Sequence, residues 1–74
     1  MKVSIKYCVM WNFFPQASLV EQELKTNIEY IQVELIKGSG GVFEVRANGR
    51  LVFSKEILGR LPDEGEITKL INEI

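Results

Sequence analysis

The chain has no histidine and only one cysteine, Cys8, among its 74 residues. Without histidine, Ser-His and Cys-His nucleophilic pairs are excluded, and no credible transition-metal ligand set can be assembled. One cysteine cannot form an intramolecular disulfide framework, so nothing in the thiol content points to secretion. Long apolar runs are also missing, since none approaches the roughly 20 residues that a membrane-crossing helix requires. The segment Met1-Lys2-Val3-Ser4-Ile5-Lys6 alternates like a strand and lacks a signal-peptide pattern. A cytoplasmic protein without membrane contact is expected. Neither sign of charge dominates: 9 Lys and Arg against 10 Asp and Glu leave a net charge of −1. The basic residues form no stripe, so no nucleic acid partner is expected.

The 46% hydrophobic and 26% charged content is that of an ordinary globular domain and too apolar for disorder. The length predicts one domain over residues 1–74, burying about 60% of its unfolded surface. Val3, Ile5 and Tyr7 alternate with Lys2, Ser4 and Lys6, which predicts a strand with one buried face. A helix is expected from about Pro15 to about Asn27, with Ala17, Val20, Leu24 and Ile28 on one stripe. Ile31, Val33 and Leu35 give a second strand, broken by Gly38-Ser39-Gly40-Gly41. Phe43 and Val45 mark a third, Asn48-Gly49 a tight hairpin turn, and Arg50 to Phe53 a fourth. A loop from Ser54 to Pro62 leads to a last helix. There Asp63 and Glu66 resemble a capping box, and Ile67, Leu70, Ile71 and Ile74 are spaced as one face.

The predicted order is βαβββα. The clean alternation of the strands implies that only one sheet face is covered. The fold class is therefore a two-layer α/β (α+β) arrangement, a four-stranded mixed sheet with both helices on one face. The first βαβ unit should be parallel and right-handed. That brings three loops to one sheet edge: Cys8–Phe14, Gly38–Gly41 and Ser54–Pro62.

Cys8 closes the first strand just ahead of the first helix, a position where redox proteins place a reactive thiol, because a helix N-terminus favours thiolate. Such proteins usually carry a second cysteine three residues on, and here that residue is Trp11. At an ordinary pKa near 8.5 only roughly 3% of Cys8 is thiolate at pH 7, whereas a pKa near 7 gives about half. Lys6, Lys55 or Arg60 are candidates to supply that shift. Cys8 is equally readable as a packed core thiol. Of Met10, Trp11, Phe13 and Phe14, at least two are expected in the core, with Trp11 the exposed one, shielding Cys8 or meeting a partner protein. Gly40 and Gly41 either permit a tight crossover or present backbone to an extended peptide. Ser54, Lys55 and Arg60 are candidate ligands for a carboxylate-bearing substrate or ordinary solvated loop residues. Glu21, Glu23, Glu29 and Glu34 read as a solvated acidic face.

Several blocks carry a family resemblance: Tyr7-Cys8, Gly40-Gly41-Val42-Phe43-Glu44-Val45, Asn48-Gly49, Val52-Phe53-Ser54-Lys55 and Gly59-Arg60-Leu61-Pro62. Together they make almost the whole chain resemble the selenoprotein W-like (Rdx) family of small thioredoxin-fold proteins. That family carries Cys-x-x-Cys or Cys-x-x-selenocysteine and is associated with thiol redox chemistry and glutathione. The resemblance implies a thioredoxin-like fold, Cys8 as the catalytic residue and Trp11 at the second motif position, where the sequence departs from the family. A lone thiolate can form a mixed disulfide but needs an external thiol to resolve it. The resemblance therefore implies a monothiol oxidoreductase with no bound cofactor or metal. It would use glutathione as co-substrate and glutathione or protein thiols as partners. The alternative is a non-catalytic protein-interaction module on the same scaffold.

Overall fold

The alternation of β1, Lys2–Cys8, buries Val3, Ile5 and Tyr7 against one side of the sheet. The structure, a computed structural model, describes residues 1–74. β1 pairs in parallel with β2 (Gln32–Gly38) and antiparallel with β3 (Phe43–Ala47). β4 (Arg50–Ser54) adds to the far side of β3, giving the strand order β2-β1-β3-β4. Val45↔Phe53 and Arg46↔Leu51 are successive pairs, so Val52 is an extra residue that bulges β4. The β3–β4 turn takes positive φ at both Asn48 (51°) and Gly49 (85°), the backbone a two-residue hairpin demands.

α1, Phe14–Asn27, has Pro15 in its first turn and buries Ala17, Val20 and Leu24. α3, Glu66–Asn72, buries Ile67 and Ile71 and packs on α1 and β4. Both helices share one side with the core residues Val3, Ile5, Phe43, Val45 and Phe53. Lys2, Lys6, Glu34 and Arg46 lie exposed on the opposite, uncovered face. The architecture is a two-layer, thioredoxin-like α+β fold.

The segment after β4 corrects the expected βαβββα order. Within the supposed Ser54–Pro62 loop lies a one-turn helix, α2, Lys55–Leu58, making three helices. Ser54 Oγ accepts the Ile57 N–H (3.4 Å), and Gly59 at φ 76° closes the turn with its N–H on the Lys55 carbonyl (2.7 Å). Four residues are too few to show a helical period. The signal was the Ser…Gly punctuation at its two ends.

The start of α3 is a second correction. Its N-cap is Gly65 at φ 80°, not Asp63, and no side chain of its own caps it. Glu23, expected on a solvated acidic face, reaches across from α1 instead. Its Oε1 accepts the Gly65 N–H (2.9 Å), and its Oε2 accepts the Thr68 N–H (3.1 Å) and hydroxyl. A carboxylate here satisfies donors that the helix start leaves unpaired and complements its positive end. Ile74, expected on the buried stripe, lies beyond the helix and is half exposed.

Glu66 supplies half of the expected capping box by accepting the Asp63 N–H (2.8 Å). It also receives both arms of Arg60 (2.7 and 2.8 Å). The Arg60 hydrogen bonds, then the Asp63 N–H, hold the Glu66 carboxyl well below its ordinary value near 4.5, at about 2. The folded pKa is depressed, so the stabilisation is complete above about pH 4.5 and fades as pH falls toward 2. Glu66→Gln should cost about 1–2 kcal/mol at pH 7, a figure already reduced for solvent screening of the half-exposed Arg60. Urea unfolding at pH 7 and pH 2 checks this: the gap between wild type and variant should close at the lower pH. A gap unchanged by pH would exclude the ion pair as its source.

Candidate functional site

Cys8 is the last residue of β1, and there the in-out alternation stops: Tyr7 and Cys8 are both buried, Cys8 with 0% exposure. Two chain segments hold it. Its N–H donates to the Val42 carbonyl (2.8 Å), tying it to the glycine loop, and its strand partner across β2 is Gly38. The Val9 N–H reaches the Gly38 carbonyl (3.2 Å). Asn12, at φ 57°, donates its N–H to the Val9 carbonyl (3.0 Å) in a tight turn, and the Phe13 N–H returns to the Cys8 carbonyl (3.1 Å). The chain thus curls around the thiol before α1 begins.

Burial pushes the Cys8 thiol up. Against this, the backbone N–H groups of Trp11, Gly41, Met10 and Val42 act on the sulfur, and the net result is a pKa below the ordinary thiol value. The N–H groups of Met10, Trp11 and Gly41 have no carbonyl acceptor, whereas the Val42 N–H also reaches the Ser39 carbonyl (3.4 Å). Amides without another partner converging on one atom form a small anion nest. Neither the N-terminus of α1 nor Lys6, Lys55 or Arg60, the groups expected to favour thiolate, is among these. The groups that lower the pKa are loop amides from both sides of the thiol.

The aromatic cluster beside Cys8 corrects another expectation. Only Phe13 is buried, not two or more of the four. Met10 is 87% exposed, Trp11 59% and Phe14 51%. The turn at Asn12 directs Phe13 inward onto Phe43, ring centroids 6.3 Å apart, and Phe43 in turn meets Phe53 at 6.4 Å. Phe14 opens α1 and lies edge-on to Tyr7 at 5.8 Å. Trp11 lies across Gly41: a Cβ there would come within 2.9 Å of two indole carbons. Its other neighbours are the Phe13 ring (5.9 Å) and the Lys55 ammonium, 5.1 Å from the indole centroid.

The other sequence candidates divide. Gly41, at φ 76°, belongs to the Cys8 nest, while Gly40, at φ 70°, is open, with nothing near its missing Cβ. Lys55 is brought to the site, makes no ion pair and sits over Trp11 and Phe13. Ser54 is 4% exposed and caps α2. Arg60 lies over Phe53 (5.8 Å), and its guanidinium is engaged by Glu66. No three His, Cys, Asp or Glu side chains are placed to hold a metal ion. No helix is long and apolar enough to cross a membrane. A cleft of about 550 Å³ between α1 and Pro62–Glu64 does not include Cys8 in its lining.

The sequence profile of the Rdx family matches residues 2–73, nearly the whole chain. The chain belongs to the Rdx family. Two crystal structures agree with that assignment. One is a protein from Bordetella parapertussis, 27% identical, TM-score 0.89, with 97% of this chain and 94% of that chain covered. The other is a selenoprotein W-related protein from Vibrio cholerae, also 27% identical with TM-score 0.89, covering 97% of this chain and 92% of that chain. No curated protein sequence matches the chain significantly. Membership of the Rdx family points to a redox-type role in general terms.

Proposed function

We propose that this Rdx protein performs monothiol exchange at Cys8 with glutathione as co-substrate. The observation that carries the reading is the Cys8 sulfur in a nest of otherwise unpaired loop amides, which lower its pKa. The Cys8 thiolate attacks the glutathione sulfur of a protein–glutathione mixed disulfide. A new S–S bond forms, the old one breaks, and the protein thiolate leaves. Free glutathione thiolate then attacks the same glutathionyl sulfur, releasing oxidised glutathione and regenerating the Cys8 thiolate. No internal thiol is available for that second step, because Trp11 stands where the second redox residue of the family would be. Lys55, an ammonium without an ion-pair partner beside Trp11, would attract a glutathione carboxylate. The backbone around Gly40 and Gly41 is the surface along which the peptide would lie. Ser54 and Arg60 serve the scaffold, as cap of α2 and partner of Glu66.

The test is incubation of the folded protein with oxidised glutathione, followed by intact-mass measurement. Wild type should gain one glutathione, removable by excess reduced glutathione, and Cys8→Ser should gain none. A thiol pKa at or above 8.5 together with no adduct would sink the proposal.

A second reading, a non-catalytic interaction module, has its own observation: Val9, Met10, Trp11, Phe14, Ile57 and Leu58 are all substantially exposed. Exposed apolar residues in such number on a small protein favour a protein partner. Partner recovery lost with Trp11→Ala and kept with Cys8→Ser would favour it. The opposite pattern, restored by oxidant, would return the case to exchange.

A further inference from the structure

Cys8 combines two properties that pull in opposite directions. Its sulfur is surrounded by amides that favour the reactive thiolate, yet the residue has 0% exposure. Thiol exchange proceeds by in-line attack at sulfur, so an enclosed thiolate is chemically primed and sterically silent. What encloses it is therefore a functional question. Trp11 has the unusual placement. It is 59% exposed, so it is not a core residue. Yet its indole lies directly on Gly41, the residue whose N–H acts on the Cys8 sulfur, and its own N–H acts on the same sulfur.

We infer that Trp11 is a latch over the Cys8 thiol, held shut by Gly41 on one side and Lys55 on the other, and that its opening sets the rate at which Cys8 reacts. This rests on the reading of Cys8 as an exchange thiol and adds its regulation. The latch has three parts. Gly41 provides a bare backbone surface, since any Cβ would collide with the ring. Lys55 Nζ lies over the indole at 5.1 Å and over Phe13 at 5.7 Å, a cation–π strap from α2 to the Cys8 loop. Asn12, at φ 57°, is the adjoining pivot between the exposed ring of Trp11 and the buried ring of Phe13. None of these contacts is a hydrogen bond or a deep burial of the ring, so the indole can swing out at the cost of its edge contact with Phe13 (5.9 Å), while Phe13 keeps its packing on Phe43 and Phe43 its packing on Phe53. The position that elsewhere in the family holds a second redox residue would thus govern access to the first.

The experiment is native-state alkylation by iodoacetamide, followed by intact mass, with each rate expressed per thiolate from that variant's ultraviolet thiol titration. Trp11→Ala should react at least about tenfold faster than wild type, equivalent to about 1.4 kcal/mol of closure. Lys55→Ala keeps the ring and removes the strap, so it should accelerate by about two- to fivefold. Rates within twofold of wild type for both variants overturn the latch. If far-ultraviolet circular dichroism shows Trp11→Ala unfolded, Lys55→Ala and Trp11→Phe decide in its place, and no acceleration in either overturns the inference. Failure of the latch and failure of the exchange reading are separable. Faster alkylation of Trp11→Ala without any glutathione adduct supports the latch and removes monothiol exchange. Adduct formation at equal rates in wild type and Trp11→Ala keeps exchange and removes the latch.

Discussion

Phe43→Ala is expected to destabilise the fold by about 3–5 kcal/mol, the usual cost of emptying a fully buried phenylalanine site. Phe43 has 0% exposure and is the middle ring of the chain Phe13–Phe43–Phe53, edge-on to both neighbours. Domains have roughly 0.05–0.15 kcal/mol of stability per residue, so a small chain has little to spare. The variant should therefore be substantially unfolded at 37 °C. The loss also reaches the thiol. Phe43 is the strand partner of Tyr7 and follows Val42, whose carbonyl accepts the Cys8 N–H. Urea unfolding followed by circular dichroism measures the change. A loss under about 1.5 kcal/mol would mean that the aromatic chain is not the centre of the core.

Gly41→Ala should produce the second-largest effect, with two separable parts. At φ 76° a side chain costs about 1–2 kcal/mol in backbone strain. The new methyl would also stand 2.9 Å from two indole carbons, so the ring must leave. Trp11 is the only tryptophan, and its fluorescence reports the move. The emission should shift to the red, and Cys8 should become more reactive. Gly40→Ala is the internal control. Its φ of 70° imposes the same strain, but nothing lies within 4 Å of its Cβ position. It should lose comparable stability with unchanged emission. Identical spectra for the two variants would show that Trp11 does not rest on Gly41 in solution.

The parts of the fold that were legible in the sequence were those written in short-range periodicity. Val3, Ile5 and Tyr7 alternate, and Ala17, Val20 and Leu24 recur at helical spacing, because a strand or helix repeats its buried face every two or 3.6 residues. Asn48-Gly49 fixed the hairpin because few other residue pairs tolerate two consecutive positive φ values. The meeting of the Cys8–Phe14 and Gly38–Gly41 loops was also legible, from the handedness of a βαβ unit and the direction of each later strand, whereas of the expected Ser54–Pro62 loop it is Lys55 that reaches them and Arg60 turns to Glu66. Other features were hidden for one common reason. Glu23 caps a helix more than 40 residues away, the Gly41 amide acts on a sulfur in another loop, and Arg60 closes on Glu66 across a turn. Each depends on a distance that no local pattern encodes.

The sequence by itself determined that this chain offers no imidazole and no internal dithiol, since it contains no histidine and one cysteine. It also carried the family, through blocks spread along the whole chain. Only the tertiary structure decided the condition of that one cysteine. Composition counts thiols, whereas reactivity depends on which donors surround the sulfur and what covers it. Those are set by the closure of two loops onto the end of β1. That closure gives Cys8 a set of unpaired amides and places an indole against one of the residues that supply them.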